Sequence, residues 1–158
     1  MKLLVVSDTH GNRLALREAI DRHPDVNFLI HLGDGLADLV EVQRSGRCPQ
    51  CYMVRGNCDY APQVPAERLC GLAGHLVFMT HGNGYDVKLT VGALLGAARE
   101  KNAQIALYGH THIPLLSKVG DVWLFNPGSL SFGPSGQCRY GLLKLSPGNE
   151  PEFEHCML

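Results

Sequence analysis

Five short apolar runs, each stopped by glycine, aspartate, asparagine or histidine, constrain this chain more than any other feature. Lys2–Ser7 runs into Asp8-Thr9-His10, Asn27–Leu32 into Gly33-Asp34, and Tyr52–Val54 into Arg55-Gly56-Asn57-Cys58-Asp59. Later, His75–Thr80 meets His81-Gly82, and Ile105–Tyr108 meets Gly109-His110-Thr111-His112. Runs of this length suit buried strands, and the residues after them suit strand-exit loops. Helical patterns lie between the first three. Asn12 can cap a helix with apolar positions Leu14, Ala15, Ala19 and Ile20, closed by Pro24. Leu36, Leu39, Val40 and Gln43 fit a second helix ending before Ser45-Gly46. Strand, helix, strand, helix, strand predicts an α/β beginning with right-handed parallel crossovers.

The pattern changes from Ala66. Glu67–Leu72 and His75–Thr80 flank Ala73-Gly74 as a hairpin would. Leu89–Lys101 reads as a helix with Asn102 as its stop, and Ile105–Tyr108 as a strand. The remainder is again β: Leu115–Val119, a turn at Gly120-Asp121, Val122–Phe125, Tyr140–Leu145 and Glu152–Met157. No repeat or linker divides the chain, so residues 1–158 are expected to form one mixed α/β domain with two packed sheets.

A length of 158 residues is enough to bury a core, and a net charge of −1 (14 basic against 15 acidic residues) gives no general attraction to nucleic acid or anionic lipid. No basic block appears either. Four apolar residues after Met1-Lys2 are too few for a signal segment or membrane span, so a cytoplasmic protein is expected. Among six cysteines, Cys48-Pro49-Gln50-Cys51 forms one isolated pair. Structural zinc takes four ligands and no second pair follows, so two free thiols are expected. Trp123 and Phe125 read as core, His31 as a core histidine with a satisfied hydrogen bond, and His23, His75 and His155 as surface positions.

A side chain just past a strand stands on a rigid edge facing solvent, and ligands of open α/β sheets collect there. Asp8, Asp34, Asn57, His81, His110 and His112 all meet that condition. Each motif alone has an ordinary reading: a polar turn, a glycine corner, a buried histidine. The ordered set does not. Carboxylate, amide and imidazole donors together suit borderline divalent ions such as Mn²⁺, Fe²⁺, Co²⁺, Zn²⁺ or Ni²⁺. Two such ions about 3.5–4 Å apart are an arrangement used to attack phosphorus esters. Asp34, in its glycine corner, is suited to bridge both.

The series SDTHGN, LGD, RGNCD, THG, GHTH and NPGS closely resembles the calcineurin-like metallophosphoesterase superfamily, and within it the small YfcE-type phosphodiesterase branch. The resemblance runs from Ser7 to Ser129. It implies a four-layer αββα sandwich of two mixed sheets flanked by helices, with two divalent metal ions at one edge, Mn²⁺ first and Ni²⁺, Fe²⁺, Co²⁺, Zn²⁺ or Mg²⁺ also compatible. By matching motifs, Asp8, His10 and His112 would join Asp34 on one ion, and Asn57, His81 and His110 would join Asp34 on the other. Asn126-Pro127-Gly128-Ser129 resembles a supporting loop behind the site.

These residues predict a phosphodiesterase acting on a small-molecule phosphoester, in which a hydroxide bridging two ions attacks phosphorus. Asp59 is a candidate for orienting metal-bound water or an imidazole, with a loop cap as its plainer role. Where many members carry a histidine this chain has Cys58, and where related small enzymes often have a second histidine after His81-Gly82 it has Asn83. Neither is a strong proton donor to a leaving group. A phosphomonoesterase or nucleotide hydrolase would use the same site. An interaction scaffold, like the retromer subunit of this fold, is the alternative of another class. A homo-oligomer is compatible with the sequence.

Overall fold

A computed structural model describes residues 1–131 and 136–158. The strands are β1 (Lys2–Val6), β2 (Phe28–His31), β3 (Gln50–Met53), β4 (Glu67–Leu72), β5 (His75–Thr80), β6 (Ile105–Leu107), β7 (Leu115–Val119), β8 (Val122–Asn126), β9 (Arg139–Lys144) and β10 (Glu152–Met157). The helices are α1 (Arg13–Arg22), α2 (Leu36–Ser45) and α3 (Gly92–Glu100). One five-stranded sheet has the order β10-β9-β1-β2-β3 and the other β4-β5-β6-β8-β7. β1, β2 and β3 are mutually parallel, as are β5, β6 and β8.

The alternation along each strand sorts side chains into three apolar layers. Leu3, Val5 and Ile30 face Val77, Met79, Ile105 and Phe125 between the sheets. Leu4, Val6 and Leu29 point the other way, onto Leu16 and Ala19 of α1 and Leu39 and Val42 of α2. Phe78, Ala106 and Leu124 pack under Leu94 and Ala98 of α3. Three cores between four layers make the expected αββα sandwich. Each buried leucine contributes roughly 1.5–3 kcal/mol, which is what holds the sheets face to face.

Most boundaries fall within a residue or two of expectation, with three differences of physical interest. The phase of α1 and α2 is shifted. Leu14 and Val40 point to solvent and Gln43 is exposed, while Leu16 and Val42, absent from the expected stripes, are buried. α3 starts at Gly92, because Leu89 and Thr90 donate backbone hydrogen bonds to Asp86 O and close a turn first. Cys51 lies inside β3, opposite Leu29, so the cysteine pair is half loop and half strand. Both its thiols are free, 3.7 Å apart. Ala73-Gly74 forms the hairpin turn with both residues at positive φ (46° and 83°), and Asn102 ends α3 at φ 54°.

The histidines outside the motifs need correcting. His23, His75 and His155 are half-buried rather than surface residues. His155 stacks on Phe125 at 4.7 Å and its Nε2 donates to Asn126 O at 2.8 Å. His31 is fully buried, but only one ring nitrogen is satisfied. Its Nδ1 accepts Gly33 N–H at 3.2 Å, while Nε2 has no partner among the described residues. Burial drives this imidazole down to about 4 against the pull of Asp59, Asp8 and Asp38. The folded state therefore refuses a proton that the unfolded chain accepts below about pH 6.5. Stability is complete above that pH and falls as pH drops towards 4, by up to about 3 kcal/mol at the lower end. Urea unfolding of wild type and His31→Leu across pH 4–7 checks this; a wild-type acid limb undiminished in the variant would refute it.

Candidate metal centre

The hydrogen-bond ladders of the two sheets continue past the strands and set the ligand loops. Asp8 N–H donates to Gly33 O (3.0 Å) and His10 N–H to Asp34 O (3.2 Å), pinning the loops after β1 and β2 together. In the other sheet Gly109 N–H donates to His81 O at 3.0 Å. Side chains then cross between sheets: His81 Nδ1 donates to Leu32 O at 2.7 Å, and His110 N–H to Asp8 Oδ2 at 3.0 Å.

Five expected ligands, Asp8, His10, Asp34, His110 and His112, sit at positive φ between 42° and 66°. Left-handed backbone costs a non-glycine residue roughly 1–2 kcal/mol, and such residues persist where the surroundings force them. Here the turns aim all five side chains at one edge. Glycines make room for them. A Cβ on Gly56 would lie 2.0 Å from Asp34 Oδ1, and one on Gly109 would lie 1.9 Å from Ser7 Oγ and 2.8 Å from Asp8 Oδ2.

Among the described residues the donors form three overlapping groups, Asp8/His10/His112, Asp34/His81/His110 and, between them, His10/Asp34/Cys58, each with its atoms within 4.8 Å of one another. Asp8 Oδ1 is 3.2 Å from His112 Nε2 and 3.7 Å from His10 Nε2. Asp34 Oδ2 is 3.2 Å from His81 Nε2 and 3.8 Å from His10 Nε2, so it faces the first two groups. Asn57 is exposed on the loop after β3; its amide donates to Cys58 Sγ at 3.3 Å, and the next backbone N–H, of Cys58, donates to Asp34 Oδ1 at 2.7 Å.

This donor set fits a divalent cation. The bond to Leu32 O fixes a proton on His81 Nδ1, so Nε2 is the atom turned to the site, 3.2 Å from Asp34 Oδ2 and in hydrogen-bond contact with His110 Nδ1 at 3.2 Å. Such close donor atoms are held together by a shared proton, as in the His110–His81 hydrogen bond, or by a cation among them. Asp8 Oδ1 is buried and has no hydrogen-bond partner among the described residues. Burial alone would raise Asp8 and Asp34, yet His112 and His81 respectively hold them below the usual carboxylate range. Conversely burial opposes charge on His81, and Asp34 outweighs it and pushes that imidazole up. The cluster is anionic and recruits cations, protons included.

Several supports carried no clear signal. Asp59 accepts four backbone N–H groups, from Asp34, Gly35, Leu36 and Gly56, at 2.8–2.9 Å. Its contacts are those of the loop cap, and both oxygens are engaged by backbone rather than by an imidazole. Asp38, in the first turn of α2, reads in sequence as an ordinary helix-start acid. It is buried and accepts from Thr9 Oγ1 (2.5 Å) and Gly11 N–H (2.9 Å), steadying the Asp8–His10 loop. Asn126 donates to Gly109 O at 2.8 Å and Ser129 Oγ to Asp8 O at 2.9 Å, the supporting part expected of NPGS. Cys58 is exposed beside His10 and Asp34, and the Asp34 carboxylate pushes its thiol up.

With sheet order and site in place, the class follows. The chain belongs to the calcineurin-like phosphoesterase superfamily, whose domain matches residues 1–148. Among its relatives, the probable metallophosphoesterase YsnB of Bacillus subtilis is 30% identical over 82% of this chain and 75% of that protein. The phosphodiesterase YfcE of Escherichia coli is 28% identical over 90% and 87%. Of solved structures, an archaeal phosphodiesterase superposes with a TM-score of 0.81 at 24% identity over 100% of both chains. Vps29 of Entamoeba histolytica, solved with Zn²⁺, gives 0.74 at 19% identity over 99% of both. Both structural likenesses speak for the fold alone. Among the described residues no helix is long and apolar enough to cross a membrane.

Proposed function

We propose that this chain is a phosphodiesterase that uses two divalent ions, held by Asp8, His10, Asp34, Asn57, His81, His110 and His112, to hydrolyse a small-molecule phosphoester with water. The observation that carries the two-ion reading is Asp34 Oδ2, which faces His81 of one donor group and His10 of the other. Divalent ions there supply Lewis acidity to phosphoryl oxygens and make water acidic enough to serve as nucleophile near neutral pH. Carboxylate, amide and imidazole donors suit Mn²⁺, Fe²⁺, Co²⁺, Zn²⁺ and Ni²⁺ alike, and the family resemblance puts Mn²⁺ first, with Mg²⁺ also compatible.

The chain's own residues orient and hold. His81 keeps its Nε2 lone pair on the site because Nδ1 is tied to Leu32 O. Ser7 and Ser129 are buried, with hydroxyls donating to Asp8 Oδ2 and Asp8 O, so neither is open to attack a substrate phosphorus. No strong acid stands ready for the leaving group: Asn83 does not titrate, and the Cys58 thiol holds its proton too tightly. Diesters with good leaving groups are therefore favoured over unactivated monoesters.

The test strips the protein of metal, restores Mn²⁺ or Ni²⁺, and assays aryl diesters beside monoesters; no metal-dependent turnover of either would sink the reading. Faster monoester turnover would move it to a phosphomonoesterase. A competing reading is an interaction scaffold on the same fold; it would allow metal to be bound, as Zn²⁺ is in that Vps29 structure, but no turnover would be expected. Cys58→Ala keeps the backbone N–H that Asp34 uses, so its diester turnover should stay within about threefold of wild type. A loss of a hundredfold in steady-state rates would make the thiol a participant.

A further inference from the structure

Beside the ligand edge lies a groove of about 490 Å³ whose walls include Val87, Leu89, Val91, Ile113 and Leu115, with Lys88 on its rim. It is joined to the metal centre at two places. Thr111, which lines it, stands between His110 and His112. Val87 and Tyr108, which also line it, close over Gly82, the residue after His81: a Cβ there would meet Val87 Cγ2 at 2.8 Å and Tyr108 Cδ2 at 3.6 Å. Gly82 thus lets an apolar wall come up to a ligand histidine. Leu89 is 86% exposed and Ile113 55% exposed, although both belong to this wall. Single exposed apolar residues are ordinary, but two on one rim against a polar cluster make an unpartnered surface of ligand size. The 111–113 turn that presents Ile113 is tied down: Ile113 N–H donates to Thr111 Oγ1 (3.2 Å), which also receives Asn126 Nδ2 (3.1 Å).

We propose that this groove takes the organic substituent of the phosphoester, and that the substituent is an uncharged apolar group of about ring size, while Lys88 faces the anionic phosphorus end. The chemistry follows from the lining. Apolar side chains from two segments accept such a group, and the single rim cation complements the charge at its phosphorus end. A short alkyl substituent leaves the walls wet and gains nothing from them.

This inference rests on the proposed phosphodiesterase reading. Phenylphosphonate and methylphosphonate, which carry one substituent each and resist hydrolysis, are titrated into Zn²⁺-loaded protein. Binding is read by methyl NMR, and competition by inhibition of bis(4-nitrophenyl) phosphate turnover with Mn²⁺. The phenyl compound should bind about tenfold more tightly, and it alone should shift the Leu89 and Ile113 methyl signals. In the double variant Leu89→Ser/Ile113→Ser that gap should close, and Leu89→Met alone should keep it. Both positions are exposed, so folding is little disturbed. Equal binding of the two phosphonates, or a gap that survives the double variant, overturns the groove assignment while leaving the hydrolase intact. Absence of any turnover by wild type overturns the phosphodiesterase reading itself, and with it the assignment of the groove to its substrate.

Discussion

Asparagine in place of Asp34 should lower metal-dependent diester turnover by about a thousandfold or more and abolish the binding of both ions. The substitution keeps the shape of the side chain and reverses its chemistry. Asp34 Oδ1 accepts the Cys58 N–H at 2.7 Å, and an amide oxygen can take that place. The amide NH₂ then falls where Oδ2 is now, 3.2 Å from His81 Nε2, and donates to the lone pair that would otherwise face a cation. One atom exchange thus fills the space between the two donor groups with a hydrogen bond. The metal-free variant should be less stable than metal-free wild type, because the folded state holds the Asp34 charge below the usual carboxylate range and loses the His81 partner when it is removed. Calorimetric titration with Mn²⁺ and thermal unfolding with and without the ion check both halves. Wild-type stoichiometry and turnover in the variant would end the assignment of Asp34.

Gly33→Ala should destabilise the fold by about 4 kcal/mol, the sum of overpacking against backbone and a left-handed turn. A Cβ at this position would sit 2.5 Å from Gly56 N and 2.8 Å from Gly56 Cα, and φ there is +96°. Backbone is what it strikes, so no side-chain rotation relieves it. The loops after β2 and β3 would have to part, and Asp34 and Asn57 ride on those loops. Gly71→Ala is the control, since a Cβ there meets nothing within 4 Å. Urea midpoints of the two variants decide the matter: a Gly33→Ala midpoint near that of Gly71→Ala would show that the close approach of the loops is not rigid.

The ligand series was legible in the sequence because strand exits are punctuated by residue type. Asp8, Asp34, His81 and His110 each stand two residues past the last apolar residue of a short strand-like run. The sandwich itself was reached through the resemblance, and the layering is confirmed by Leu3 and Val5 facing one core while Leu4 and Val6 face another. The helix phases were less legible. In α1 several apolar residues fall close together, and only the packed sheet decides that Leu16 goes in and Leu14 out. Asp38 and Asp59 were opaque for a different reason. A carboxylate that serves backbone N–H groups far along the chain has the same local sequence as a solvated one. The positive φ of His10, His110 and His112 was equally hidden, since nothing but tertiary force keeps a histidine there.

The bond from His81 Nδ1 to Leu32 O runs from the end of β5 in one sheet to the end of β2 in the other. It is therefore a clasp as well as a tautomer lock. When the imidazole is lost, the sandwich opens at that edge, and amides at the ends of β2 and β5 should exchange with solvent together rather than one by one. A molecule with a damaged ligand edge is then also one that a protease can enter.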